Sequence, residues 1–324
     1  MRTRIVFPFL AAIVGCVLSP TTASAQTFAS KPIKLLVGVT PGGTTDALAR
    51  FLAQEMTREL GQPVLVDNRA GAGGNIAADA VAKSAPDGYT LLFCNTSHSV
   101  NPGLYGSKLA YDAVKDFTPI SQVSTGPAVL VANNSFPGKD AKDVVAMARA
   151  APGKLNFAVG GLGTSIHMAG ELFKHMAGVD IVNVPYKGSS PALMDVIAGQ
   201  IELTFAPVII AVPQIKAGKV KALGVTSTSP IPALPDVPTI AEALTGYEST
   251  AYFGLLGPAK LPPEILAKLS AAAIRAAKSA ELKSRLEIDG SRVVGGGPAE
   301  FTAFLLTDIE KWKKVVKATG AKPE

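Results

Sequence analysis

Three histidines and two cysteines are the residues of this chain best suited to catalysis or metal binding. His167, Glu171 and His175 follow one another at steps of four. On a helix such steps drift only about 40° each, so the three share a broad face, and zinc accepts a His/Glu/His set with an open position. However, His167 and His175 would stand roughly 12 Å apart along the axis. The set therefore reads as His167 beside a loop-proximal pocket, with Glu171 and His175 toward solvent. No Gly-x-Ser-x-Gly elbow singles out a serine nucleophile. Cys94 follows the apolar run Leu91-Leu92-Phe93, where a thiol usually packs as a small buried filler; a reactive thiol is the competing reading. Gly71-Ala72-Gly73 and Gly161-Leu162-Gly163 begin like dinucleotide fingerprints, but Ile76 and Ile166 stand where the third glycine belongs. No cofactor or metal is expected.

The other chemistry is anion binding. Leu35 to Val39 is β-leaning, Pro41-Gly42-Gly43 turns, and Thr44-Thr45-Asp46 opens an amphipathic helix carrying Leu48, Phe51, Leu52, Met56 and Leu60. Thr44 or Thr45 can act as N-cap. The first-turn N–H groups then face the loop, where the helix end carries partial positive charge. A loop of this kind without a lysine does not suit a nucleoside triphosphate, and a simple tight turn remains the alternative. The same logic returns at Gly160 to Ser165. At Tyr186-Lys187-Gly188 a hydroxyl and a cation precede a third helix start, marked by Pro191 and ended by Gly199.

These loops need a scaffold. Alternating apolar runs and helical stripes in the order βαβαβ predict parallel sheet with helices on both faces. The run repeats after Val129, which predicts two similar lobes whose loops meet at one cleft. Asn101 to Phe117 reads as loop-rich, and the last helix, after Pro298, buries Phe301, Phe304, Leu305, Ile309, Trp312 and Val316. A net charge of +6, falling by two when Arg2 and Arg4 leave with a leader, carries no basic block and excludes nucleic acid as the expected partner. Residues 1–25 read as a signal peptide: basic start, apolar Ile5 to Leu18, and Ala23-Ser24-Ala25 before a cleavage that leaves Gln26 first. An uncleaved membrane anchor and lipidation at Cys16 are the alternatives.

Taken together, a longer set of motifs resembles a known family. The set comprises Pro41-Gly42-Gly43 with Asp46 and Arg50, Leu60-Gly61-Gln62-Pro63, Asn68-Arg69 with Gly71 to Gly74, and Pro86-Asp87-Gly88-Tyr89. It continues with Pro152-Gly153-Lys154-Leu155, His167, Val184-Pro185-Tyr186-Lys187-Gly188, Leu234 to Thr239 and Trp312. Across the mature chain it is similar to the substrate-binding proteins of tripartite tricarboxylate transporters, the Bug family.

The resemblance implies an α/β, type II periplasmic binding protein fold: two lobes with mixed, mostly parallel sheets around a central cleft. It implies lobe 1 from 26–124 and 251–324, and lobe 2 from 125–250. It implies a periplasmic, non-catalytic, monomeric receptor that hands a small mono-, di- or aromatic carboxylate to membrane permease subunits. A sensor passing its liganded state to a signalling receptor and a cleft hydrolase are the rival readings. Carried onto this chain, the ligand would meet Pro41, Gly42, Gly43, Thr44, Thr45, Asp46, Asn95, Thr96 and Ser97 from one side. From the other it would meet Gly161, Gly163, Thr164, Ser165, His167, Tyr186, Lys187 and Gly188. Ala206 departs from the family's Phe-Asp pair and argues against an amino-acid ligand.

Overall fold

The computed structural model of the chain describes residues 28–288 and 290–323. The leader, Cys16 and the expected cleavage site lie outside the described residues.

The first lobe opens with β1 (Ile33–Val37), α1 (Thr44–Leu60), β2 (Val64–Asn68), α2 (Asn75–Ala82), β3 (Thr90–Asn95), α3 (Ser97–Tyr105) and β4 (Phe117–Gly126). The chain then passes through Pro127 into β5 (Ala128–Asn133), α4 (Ala141–Ala150), β6 (Asn156–Val159), α5 (Ser165–Ala177), β7 (Val182–Pro185), α6 (Ser189–Ile197), β8 (Leu203–Pro207), α7 (Val208–Lys216) and β9 (Val220–Val225). It returns through β10 (Ala251–Pro258), α8 (Pro263–Ala277), α9 (Ala280–Ile288), β11 (Arg292–Gly296) and α10 (Pro298–Thr319).

Two sheets result, ordered β11-β4-β10-β3-β1-β2 and β7-β6-β8-β5-β9. Each is a sandwich of helices about a sheet. In the first, α1 and α8 cover one face and α2 and α10 the other. In the second, α4 and α5 oppose α6 and α7. Among the described residues four strand pairings are parallel and five antiparallel. The parallel pairings sit at the βαβ ends. The antiparallel ones come from β5 and β10, the strands that carry the chain between sheets, and from the edge strand β11.

Several elements depart from the sequence reading. The polar tip after β3 is the start of a helix, α3, which runs on through Pro102 into the stretch expected as loop. Its burial explains this: Val100 and Leu104 join the apolar cluster of α5 and α10, and tertiary packing overrides a poor helix sequence. β4 carries Pro119 and three serine or glutamine side chains that are buried between β10 and β11. Ser121 satisfies its hydroxyl by donating to Gly296 O at 2.8 Å.

Where α10 lies against α3, Asp308 is buried, and its Oδ2 has no partner among the described residues. Burial pushes its carboxyl up to about 6, against partial offsets from Ser99, Lys311 and Trp312. A raised folded value means stability present at low pH and lost as pH rises through about 6. Asp308→Asn should therefore be more stable than the parent by roughly 1–3 kcal/mol at pH 7.5, with the gap shrinking toward pH 4. Urea midpoints at the two pH values check this; a constant gap would contradict it.

Candidate ligand-binding cleft

Helix starts from both lobes converge between the sheets. In α1 the N-cap is Gly43, with no side-chain cap, so neither threonine plays the expected capping role. The Thr44 and Thr45 side chains line the cleft instead, and Thr45 Oγ1 accepts a hydrogen bond from Asn95 Nδ2 at 3.1 Å. The first-turn N–H groups of such a helix have no intrahelical acceptor. In α6 the N-cap is Gly188, again without a side-chain cap. In α5 Thr164 is the N-cap, its Oγ1 accepting from His167 N and donating to Gly161 O.

Close backbone packing sets both loop shapes. A Cβ on Gly38 would lie 2.6 Å from Gly74 Cα, so the loop after β1 rests on the glycine loop that precedes α2. A Cβ on Gly160 would lie 2.6 Å from both Cα and N of Ser189, so the loop after β6 rests on the start of α6. Only glycine permits such approaches.

Two polar residues of the motif set, Asp46 and His167, work beneath the surface. Asp46 is buried and lines neither compartment of the cleft. Its carboxylate accepts from Gly42 N (3.0 Å), Arg50 Nε (3.0 Å) and Asn68 Nδ2 (2.8 Å). Burial opposes its ionisation, but the bonds from Arg50, Gly42 and Asn68 outweigh it and hold the carboxyl below the usual aspartate range. Asp46 thus fixes the loop, and the exposed Pro41 and Gly42 are part of that loop's shape.

His167 is similarly buried below its loop and lines neither compartment. Its Nδ1 accepts from Gly163 N at 3.1 Å, which puts the proton on Nε2, 3.6 Å from Glu171 Oε1. Glu171 does not face solvent as expected. It is buried and bonded to Lys174 Nζ and Asn183 Nδ2, both at 2.6 Å. Burial alone would raise its carboxyl, but His167, Lys174 and Asn183 together bring it to about 2. His175 is exposed, so the His/Glu/His set does not converge.

The cleft itself has two connected compartments, of about 240 and 640 Å³. They share a belt of Val39, Thr44, Thr45, Asn95, Ser97, Thr164 and Ser189. The larger compartment is the more polar of the two and adds Gly43, Gly161, Tyr186, Lys187 and Gly188. The smaller adds Ser165 and a mostly apolar wall. Ser97 Oγ donates to Gly163 O at 3.3 Å, so the lobes touch across the cleft.

Four more of the expected residues are placed differently from a ligand contact. Thr96 is buried and accepts from Tyr252 N. Gly163 packs against Leu104 rather than the cleft. Ala206 is fully buried in β8 opposite Val129. Tyr186 lines the cleft, but its hydroxyl proton is committed to Asp195 Oδ2 at 2.7 Å, which raises its pKa. Sequence reasoning did not place Gly38, Gly73, Gly74, Ser189 and Asn101 at the cleft. The repeated strand–glycine–helix pattern at Asn68 to Asn75 was the available signal for the second loop. Cys94 is buried, donates to Gly254 O, and burial pushes its thiol far up, a poor setting for a nucleophile.

Among the described residues no carboxylate lines either compartment, and the belt is neutral with amide and hydroxyl donors. Comparison with known proteins agrees with this receptor-like geometry. The pattern described as tripartite tricarboxylate transporter family receptor matches residues 48–321. Protein BugT of Bordetella pertussis is 34% identical, over 97% of this chain and 98% of its own. Rpa4515 of R. palustris, solved with adipate, is 35% identical with a TM-score of 0.83, covering 92% of this chain and 100% of its own. MatC (Rpa3494) from Rhodopseudomonas palustris, solved with bound malate, is also 35% identical, with a TM-score of 0.81, covering 89% of this chain and 100% of its own. With its two-lobed α/β fold and a cleft built from helix starts, the chain belongs to the tripartite tricarboxylate transporter receptor family, as a solute-binding protein of the Bug type.

Proposed function

We propose that this protein captures a small carboxylate between its lobes, without chemistry on it, and presents the closed form to the permease of a tripartite tricarboxylate-type transporter. The observation that carries the reading is the meeting of three helix starts, α1, α5 and α6, on a neutral belt of Thr44, Thr45, Asn95, Ser97, Thr164 and Ser189. Unpaired N–H groups and partial positive charge favour an anion, while the absence of lining carboxylates leaves no partner for an ammonium. The acids bound by Rpa4515 and MatC support the same class.

Closure requires few moving parts. The chain crosses between the sheets at Pro127 and again at Ser249–Thr250, and these two crossings are the proposed hinge between a lobe of 26–124 plus 251–324 and a lobe of 125–250. Binding then selects the closed arrangement. The protein works as a periplasmic monomer after removal of residues 1–25.

A thermal-shift screen of organic acids against the mature protein tests the reading. An acid at a hundred times its dissociation constant should stabilise by about 2.7 kcal/mol through mass action. Shifts by amines or sugars, with none by any acid, would overturn it.

A further inference from the structure

We propose that the acid this cleft selects is a monocarboxylate with an apolar body, its carboxylate on the shared belt and its body in the smaller compartment. This rests on the carboxylate reading above and narrows it.

The wall of the smaller compartment carries the argument. Beyond the belt it is built mainly by Leu48, Phe51, Phe253, Val208, Ile209 and Leu286, with the hydroxyls of three serines, and among the described residues no aspartate, glutamate, lysine, arginine or histidine lines it. An acid with its carboxylate at Thr44 and Thr164 and its body in this space would bury carbon against carbon. A second carboxylate there would lose its water without meeting a cation, which is costly in any apolar enclosure.

The other direction offers a second anion little. Asn101 and His98 line the larger compartment, but Asn101 Oδ1 and His98 Nδ1 are themselves buried and have no partner among the described residues. Asn101 Nδ2 is already spent on Gly73 O and Asn75 Oδ1, and His98 Nε2 faces Ala113 O at 2.9 Å, as a donor to that carbonyl. Burial holds the His98 ring neutral, at about 4. The two free positions are therefore acceptors. Neither is accessible, so neither residue offers a donor to a second carboxylate there. Lys187, the lining cation, stands at the exposed rim of this compartment.

The start of α7, at Val208 and Ile209, is where a second carboxylate would go if the smaller compartment took one. The test is therefore a matched pair: calorimetric titration of the mature protein with hexanoate and with adipate, which differ by one terminal carboxylate. Hexanoate should bind at least tenfold more tightly than adipate, and affinity should rise about fourfold per methylene from butanoate to hexanoate. Adipate binding as tightly as hexanoate would overturn the proposal while leaving the carboxylate reading intact. If no acid of either kind bound, that reading itself would fall. Ile209→Arg provides a second arm. Ile209 is 40% exposed, so the variant should fold, and it should weaken hexanoate and strengthen adipate. An unchanged ratio would mean the body does not run along this wall, and would overturn the placement.

Discussion

Gly160→Ala is expected to weaken acid binding at least tenfold and to cost about 1–3 kcal/mol of stability. The added methyl would lie 2.6 Å from both Cα and N of Ser189. Those are backbone atoms at the first residue of α6, so no side-chain rotation relieves the clash. The start of α6 must back away, and it supplies one of the three N-termini that meet at the belt. The glycine has an ordinary φ, so the cost comes from contact and not from dihedral strain. Gly297→Ala serves as the control, because a methyl there meets nothing within 4 Å; its affinity should match the parent. Urea unfolding and calorimetric titration of the best acid from the screen read both effects. Parent-like affinity in the Gly160 variant would show that α6 takes no part in the site.

Glu171→Gln should destabilise the protein by about 3 kcal/mol and weaken binding several-fold from a position that touches no ligand. The carboxylate is buried, with Lys174 and Asn183 both at 2.6 Å. Removing its charge strands the largely buried Lys174 ammonium and releases the His167 ring, which then holds Gly163 N less well. The pH dependence gives a separate signature. The folded carboxyl sits at about 2, against an ordinary value of 4.5. A depressed folded value contributes stability that is complete above 4.5 and lost as pH falls toward 2. The parent should therefore lose roughly 2–3 kcal/mol more than the variant over that window. Identical acid unfolding curves would show that Glu171 carries no net stabilisation.

Much of the lobe architecture is legible from the pattern of the chain. β1, α1 and α5 announce themselves through apolar runs, glycine turns and helical stripes, because in each the local preference agrees with the packing. The elements that escape are those where it does not. α3 contains Pro102 and Gly103 and forms because Val100 and Leu104 find partners on α5 and α10. β4 has buried serines, of which Ser121 finds an acceptor on the edge strand β11. The site shows the same division. Thr44, Thr45 and Thr164 lie next to glycine loops and are readable from them, whereas Asn95 and Ser97 sit at the end of β3 and the start of α3 with no glycine beside them and come from the family resemblance alone. Ile209, Phe253 and Leu286 come from α7, β10 and α9, far apart in sequence, and look like ordinary core residues until the chain is folded. Asp46 and His167 are visible as polar groups at helix starts. Their inward, bracing orientation is a property of the third dimension.

The seam where α3 and α10 meet α5 has a practical side. Trp312, the chain's single tryptophan, is 1% exposed within that mixed cluster. Any parting of the lobes that separates α10 from α5 would wet the indole, which the present arrangement keeps dry. The molecule thus carries an optical gauge of its own cleft, with one chromophore and no label. Its emission maximum can be followed on the stopped-flow timescale, separating the rate at which an acid arrives from the rate at which the lobes shut.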